Sequence, residues 1–268
     1  MNRQVNIHNN SFPQDAFDYL TVVYQECLDN HLKNPKYQNL STTLSDISNG
    51  TKILENDGQV DAYIALYGAQ HYYKLVSAFD NLELSNFIGK SLEFISYGCG
   101  SATDTCVLKS YLTSKQINLD IKSVTLIEPS LASLKRGKEY VQSAFKIREV
   151  NKTINELNIN DIASQPDTVK LHVFSNILDI KDIDLERLAN LLKESQKGAN
   201  YFVCISPTRY NEKRIDNFYD IMSNLFEISD ISITDETIKG RVYHMKQGGF
   251  NNSYPIDRYE RIFFTYAN

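Results

Sequence analysis

The chain has 268 residues with 28 basic and 33 acidic side chains, a net charge of −5, and 42% hydrophobic and 23% charged residues. That is the balance of a globular chain long enough for one large domain or a domain with an extension, and it shows no basic excess of the kind a broad nucleic-acid surface needs. No apolar run approaches the roughly 20 residues of a membrane span, the opening MNRQVNIHNNSFPQD has no signal-peptide core, and Cys27, Cys99, Cys106 and Cys204 are scattered without a CxxC pair, so the expectation is a cytoplasmic protein with no membrane, disulfide framework or metal site.

Residues 1–13 read as a flexible lead-in ending at Pro13. From Gln14, Phe17, Leu20, Val23, Tyr24, Cys27 and Leu28 recur at helical spacing until Asn34-Pro35 breaks the pattern. Residues 40–54 are ambiguous; Ser41, Thr42 and Thr43 suit the cap of a short helix over about 43–48, and Asn49-Gly50 reads as a turn. Helix is predicted over about 60–66 and again over 71–79, with a bend at Gly68 and an end at Asp80-Asn81.

From Ser91 strands and helices alternate. Strands are predicted at 92–96, 123–127, 146–150, 169–174 and 201–205, with helices at 104–114, 130–144, 184–197 and 214–225 between and after them. Asp104 suits the start of its helix, Ser130 is the natural N-cap of the next, and Gly198 closes the third. Pro207 ends the fifth strand, and the polar residues Thr208, Arg209 and Tyr210 follow it. Two further strands are expected at 228–234 and 259–266, separated by an irregular segment, 239–257, that carries Arg241, His244, Lys246 and Gly248-Gly249. With no long helix between them, these last two must run antiparallel, since a parallel pair needs a crossover.

The stretch Leu92 to Asp104 (LEFISYGCGSATD) organises the rest. A buried strand enters a loop in which Gly98 and Gly100 permit backbone angles closed to other residues, and the helix behind it presents unpaired N–H groups and a partial positive charge. In an open α/β sheet such carboxyl strand ends are where ligands bind. The next strand, KSVTLI, ends in Glu128-Pro129-Ser130, and a carboxylate there is the usual acceptor for the two hydroxyls of a ribose. Together these describe a nucleoside-binding βαβ unit. A nicotinamide site fits poorly. GCGSAT lacks the third glycine of that fingerprint, and Glu128 follows Gly100 by 28 residues, against about 20 in the fingerprint.

ISYGCGSATDT followed by VTLIEPS resembles the first two motifs of class I S-adenosylmethionine-dependent methyltransferases, and KLHVFSNILDI resembles the fourth. The resemblance covers roughly residues 91–268. It implies an α/β fold: a seven-stranded Rossmann-like methyltransferase sheet with helices on both faces, preceded by a helical N-terminal extension or lid over 1–90. It implies S-adenosyl-L-methionine as cofactor, held by Tyr97, Gly98, Gly100, Thr103, Glu128, Pro129, Asn151, Ser175 and Asn176. Asn151 is the candidate for the adenine edge, and Ser175 and Asn176 for the end where the methyl group meets its acceptor. In that family a helical N-terminal region often covers the cofactor. Tyr63, Tyr67, His71 and Tyr72 are therefore candidates to bind the acceptor, with His244 from the late segment; the alternative is a helix packed on the sheet with aromatic spacers.

Methyl transfer from a sulfonium needs binding and orientation more than an acid or base, so no catalytic residue is singled out. His71, His172 and His244 are the possible bases, and His172, inside a strand, reads as structural. Cys99 reads as a small loop residue. Signatures of amino-directed DNA methyltransferases and of cytosine C5 attack are missing: the chain has Ser175-Asn176-Ile177-Leu178 after the fourth strand and no Pro-Cys dipeptide. The expected function is methyl transfer to a small molecule in preference to RNA or protein, with a non-catalytic binding module acting through a partner as the alternative.

Overall fold

The computed structural model describes residues 17–207 and 214–267. The lead-in over 1–13 and the residues Thr208, Arg209 and Tyr210 lie outside them. The first element of the described residues is a π turn, Leu20–Tyr24, that runs into α1 (Gln25–Lys33), which stops before Pro35. α2 (Leu40–Asp46) is capped by Asn39, whose side chain accepts from the N–H of Ser41; the cap thus lies upstream of the three hydroxyl residues the sequence suggested. α3 (Asp57–Tyr63), a π turn (Ile64–Gly68) and α4 (Ala69–Leu82) follow without a break. The bend expected at Gly68 is absent. The extra residue is absorbed as a π turn, and Gly68 serves packing instead, since a Cβ there would lie 2.7 Å from the Tyr19 hydroxyl.

β1 (Ser91–Tyr97), α5 (Thr103–Lys115), β2 (Asp120–Ile127), α6 (Leu131–Val141), β3 (Ile147–Val150), the short α7 (Ile159–Ile162) and β4 (Val169–Ser175) come next. α8 (Leu185–Ser195), β5 (Gly198–Ser206), α9 (Arg214–Leu225), β6 (Ile228–His244) and β7 (Gly249–Ala267) complete the chain. Ser130 caps α6 and Asp184 caps α8 through side chains that accept from the N–H groups of Ser133 and Arg187. Asp104 lies inside the first turn of α5, whose N-cap is Ala102 in the left-handed region (φ 56°).

Among the described residues seven strands form one sheet in the order β3-β2-β1-β4-β5-β7-β6. β1 to β5 run parallel to one another; β7 inserts antiparallel between β5 and β6. This is the Rossmann-like methyltransferase sheet that the motifs implied. The irregular segment expected over 239–257 is instead a continuation of two long strands, β6 of 17 residues and β7 of 19. Their outer halves pack on the N-terminal helices. A Cβ at Gly240 would collide with the ring of Tyr73, and the N–H of Tyr243 donates to the Tyr24 hydroxyl at 3.3 Å.

Alternation along the strands gives the sheet two apolar faces. Leu92, Phe94, Val124, Leu126, Leu171 and Val173 join one core with α1, α3, α4, α5 and α6. Tyr97, Ile127, Phe174, Phe202 and Phe263 join a second with α8 and α9. On this second face the rings of Tyr97 and Phe174 stack 4.1 Å apart, as do His172 and Phe202 (4.5 Å) and Phe202 and Phe263 (4.9 Å). Helices therefore cover both faces and leave the carboxyl ends of the parallel strands as the place for a site. No helix among the described residues is long and apolar enough to cross a membrane.

Candidate functional site

Hydrogen bonds that run past the strand ends build the carboxyl edge. Cys99 N–H donates to the Ile127 carbonyl (3.0 Å), Glu128 N–H to Val150 (3.1 Å) and Asn176 N–H to Ile205 (2.7 Å). Each bond fixes a loop residue against the neighbouring strand, so the glycine loop, Glu128 and Asn176 share one rim. Gly98 (φ 62°) and Gly100 (φ 53°) take the left-handed region, as their role requires. At Gly98 the reason is also space: a Cβ would lie 2.7 Å from Ile177 Cγ1, so this glycine lets the loop after β4 close onto β1. At Gly100 nothing lies within 4 Å of that position, and the backbone faces open space.

The rim encloses a cleft of about 300 Å³. Gly98, Gly100 and Ser101 form its floor, with Glu128, Pro129 and Ser133 beside them and Lys152, Thr153, Ile154 and Asn155 beyond. Ser175, Asn176, Ile177, Ile180 and Ile183 form the opposite wall. The N-terminal segment supplies the remaining side through Gly50–Leu54, Val60 and Tyr63. This strap is held down by the Ser130 hydroxyl, which donates to the Leu54 carbonyl at 2.6 Å while accepting from Ser133 N–H at 3.0 Å. Arg136 of α6 pairs with Asp57 (2.7 Å) and Asp61 of α3, tying the helical segment to the same corner.

Glu128 is nearly buried, and burial raises its carboxyl above the ordinary value while two hydrogen bonds oppose the rise. One oxygen accepts from Gly100 N–H (3.0 Å) and the other from Ser130 N–H (2.8 Å). Each carboxylate oxygen has a second acceptor direction, so this geometry can still take two hydroxyl donors from the cleft. A diol at Glu128, a flat ring against Ile154 and a chain laid over Gly98 and Gly100 are what the lining can hold. The open space at Gly100 and the paired acceptors of Glu128 fit a nucleoside bearing a tail.

The other expected residues fall in different places. Tyr97 is fully buried beneath the floor, its hydroxyl 3.1 Å from His172 Nδ1. Thr103 opens α5 and is largely buried, outside the cleft lining. Asn151 turns back on the β2 loop: its amide donates to the carbonyls of Glu128 (2.9 Å) and Pro129 (2.8 Å), which ties up both amide protons. Of the aromatic candidates, only Tyr63 lines the cleft. Tyr67 and His71 stand behind it in one ring cluster, with centroids 5.3 Å and 5.9 Å from that of Tyr63. Tyr72 faces away and stacks on Tyr19 at 5.8 Å. His244 ends β6, 6.1 Å from the Tyr254 ring, and is not a lining residue.

His172 is structural. Asn200 donates through Nδ2 to the Gly198 carbonyl (2.8 Å), so its Oδ1 accepts from His172 Nε2 (3.2 Å), and His172 Nδ1 accepts the Tyr97 proton. Burial pulls its pKa down to about 3, keeping the ring neutral. His71 is also held neutral, by burial first and then by the charge of Lys74. Cys99 is buried, and burial pushes its thiol well up. Among the described residues no three His, Cys, Asp or Glu side chains cluster as a metal site.

Three features escaped sequence reasoning. Gly137, within α6, packs on the glycine loop: a Cβ there would lie 2.7 Å from the Ser101 carbonyl carbon and 2.8 Å from Ala102 N. The strap over 50–54 has no periodicity to mark it. Lys74, on α4, is buried and donates to Asn176 Oδ1, a contact between residues 102 apart in sequence. A lysine set directly before Leu75, Ala78 and Phe79 on the helix's buried face was the available signal.

No family model matches the chain, and no curated protein matches it. Solved structures do match in chain trace. The YcgJ protein of Bacillus subtilis is 8% identical with a TM-score of 0.47, over 73% of this chain and 99% of its own. The N-methyltransferase NodS of Bradyrhizobium japonicum is 10% identical with a TM-score of 0.46, over 75% and 99%. A SAM-dependent methyltransferase of Leishmania major is 11% identical with a TM-score of 0.43, over 95% and 87%.

Proposed function

We propose that this chain is an S-adenosylmethionine-dependent methyltransferase. The observation that carries the reading is the cleft at the sheet's carboxyl edge, where Glu128 keeps both carboxylate oxygens tied to the loop yet open to a diol beside the exposed backbone of Gly100. Glu128 and Pro129 would hold the ribose, and Lys152, Thr153 and Ile154 would flank the base. Gly98 and Gly100 would run under the chain that leads to Ser175 and Asn176. The cofactor, when bound, supplies the methyl group and its leaving group together. The protein's part is to orient that methyl toward an acceptor and to exclude water. The apolar wall of Ile177, Ile180 and Ile183 supports the second task.

The acceptor would enter from the side where α3 runs on toward α4, where Tyr63 meets the cleft and Tyr67 and His71 back it. His71 lies behind Tyr63, outside the cleft lining, and the burial that keeps it neutral opposes its taking a proton, so an acceptor with a lone pair already free suits this cleft. The cleft is about 300 Å³, the lower end for ligand pockets, and the net charge is −5; both favour a small acceptor over a folded RNA.

A thermal melt with a ligand panel tests this reading. S-adenosylhomocysteine at a hundredfold excess over its Kd should stabilise the fold by about 2.7 kcal/mol, a rise of several degrees in Tm, and NAD at the same concentration should give none. A shift with NAD and none with S-adenosylhomocysteine would refute it.

A further inference from the structure

We infer that Arg214 and Asn155 hold the loop between β4 and α8 as a ready-made apolar plate for the base of the bound nucleoside, which makes Arg214 a positioning residue for that end of the ligand. The inference rests on the cofactor reading above and asks what shapes the slot opposite Ile154.

The loop reads Ile177-Leu178-Asp179-Ile180-Lys181-Asp182-Ile183, with an isoleucine at every third position. Two successive turns close it: Ile180 N–H donates to the Ile177 carbonyl at 3.1 Å, and Ile183 N–H to the Ile180 carbonyl at 3.2 Å. Side chains three apart in such turns rise on one side, and all three isoleucines line the cleft. Ile183 and Ile154 belong to one apolar cluster, with Ile177 and Ile180 packed against it. A flat ring lying on Ile154 therefore meets the isoleucine row with its other face.

Two turns closed by single backbone hydrogen bonds are a weak scaffold, and side chains from elsewhere fix both ends. The Arg214 guanidinium, at the start of α9, donates through Nε to the Leu178 carbonyl (2.8 Å) and through Nη2 to the Ile183 carbonyl (2.6 Å). Asn155, directly after Ile154, donates through Nδ2 to the Asp182 carbonyl (2.7 Å) and accepts at Oδ1 from Asp184 N–H (3.0 Å). Arg214 thus sets the shape of the loop, and Asn155 sets its distance from Ile154. Leu178 and Ile183 are buried, so a lost guanidinium leaves their carbonyls without a ready replacement. Without the fork the ligand itself would have to order the loop, and that cost is taken from affinity.

Calorimetric titration of the full chain with S-adenosylhomocysteine, and its displacement by adenosine, which has the base and ribose without the tail, test this without knowing the acceptor. Arg214→Gln should weaken both ligands by a factor on the order of ten and leave the ratio of their Kd values within about twofold of wild type. Arg214→Lys keeps the charge and gives up the fork, so it must also weaken both, by at least about threefold; full affinity there would show that charge alone counts and overturns the inference. A brace for the fold alone would lower the melt and leave the Kd values of the folded protein unchanged, so unchanged values in Arg214→Gln overturn it too. Weakening of S-adenosylhomocysteine alone would assign the loop to the tail, and a wild type from which adenosine displaces nothing would leave the plate no base to hold; either result overturns the inference. Should Arg214→Gln fail to fold, Asn155→Ala must weaken both ligands in parallel, and unchanged affinities there overturn it equally. A wild type that does not bind S-adenosylhomocysteine defeats the cofactor reading instead.

Discussion

Asp104 shows how one side chain couples the glycine loop to pH. It is buried in the first turn of α5, accepts from the Ser96 hydroxyl and from Thr105 N–H (2.7 Å), and is raised by burial from 3.8 to about 6. Between these values the folded state binds more protons than the unfolded one, so this group's contribution to stability falls as pH rises through that window. Asp104→Asn removes the dependence. Urea unfolding from about pH 4 to about pH 7 should show the variant gaining about 2–3 kcal/mol on wild type, and parallel curves would contradict the assignment. Gly137 gives a second residue-scale prediction. Alanine there must displace the backbone of Ser101 and Ala102, at about 1–3 kcal/mol, and S-adenosylhomocysteine affinity should fall at least about tenfold with the fold intact. At this scale the positive-φ glycines Gly98 and Gly100 and the cap Ser130 were readable, because those backbone roles are local in the chain. Gly137 and Lys74 were hidden, because their partners lie 36 and 102 residues away by sequence number, at Ser101 and Asn176.

Elements were legible where period and punctuation agree. α9 spans Arg214–Leu225, the range its spacing predicted; β1, β2 and β5 were found short by one to three residues at their N-terminal ends, and β1, β4 and β5 by one at their C-terminal ends. The outer halves of β6 and β7 were missed because Lys239, Arg241, Gly248 and Asn251 interrupt any alternation; what holds them is packing on α4 and on the π turn at Leu20–Tyr24, which a local pattern cannot contain. Gly240→Val would drive a side chain into Tyr73 and to within 2.7 Å of Ile256 Cδ1. The variant should lose about 2 kcal/mol or more, and limited proteolysis should cut the hairpin ahead of the sheet. Across the sheet, Tyr97, His172 and Asn200 link β1, β4 and β5 through buried hydrogen bonds. His172→Leu leaves the Tyr97 hydroxyl and Asn200 Oδ1 without these partners and should cost about 2–4 kcal/mol in chemical denaturation. A loss below about 0.5 kcal/mol would show that the relay is not structural.

At the scale of the molecule, five parallel strands aim their carboxyl ends at one rim, and the N-terminal helices close it from above through Lys74, Tyr63 and the strap over 50–54. The alternation of strands and helices and the antiparallel closing pair were readable from the chain; the insertion of β7 between β5 and β6 was not. The cleft's third side was not readable, since the strap over 50–54, Val60 and Tyr63 meet the strand-end loops only in the fold. The central claim is that Glu128 anchors a ribose in this cleft. Calorimetric titration of wild type and Glu128→Ala with S-adenosylhomocysteine tests it most directly. The account predicts saturable one-site binding by wild type and a loss of about 1.5–3 kcal/mol in the variant, with its melt retained. Equal affinity in the two proteins, or no binding by a folded wild type, would contradict it.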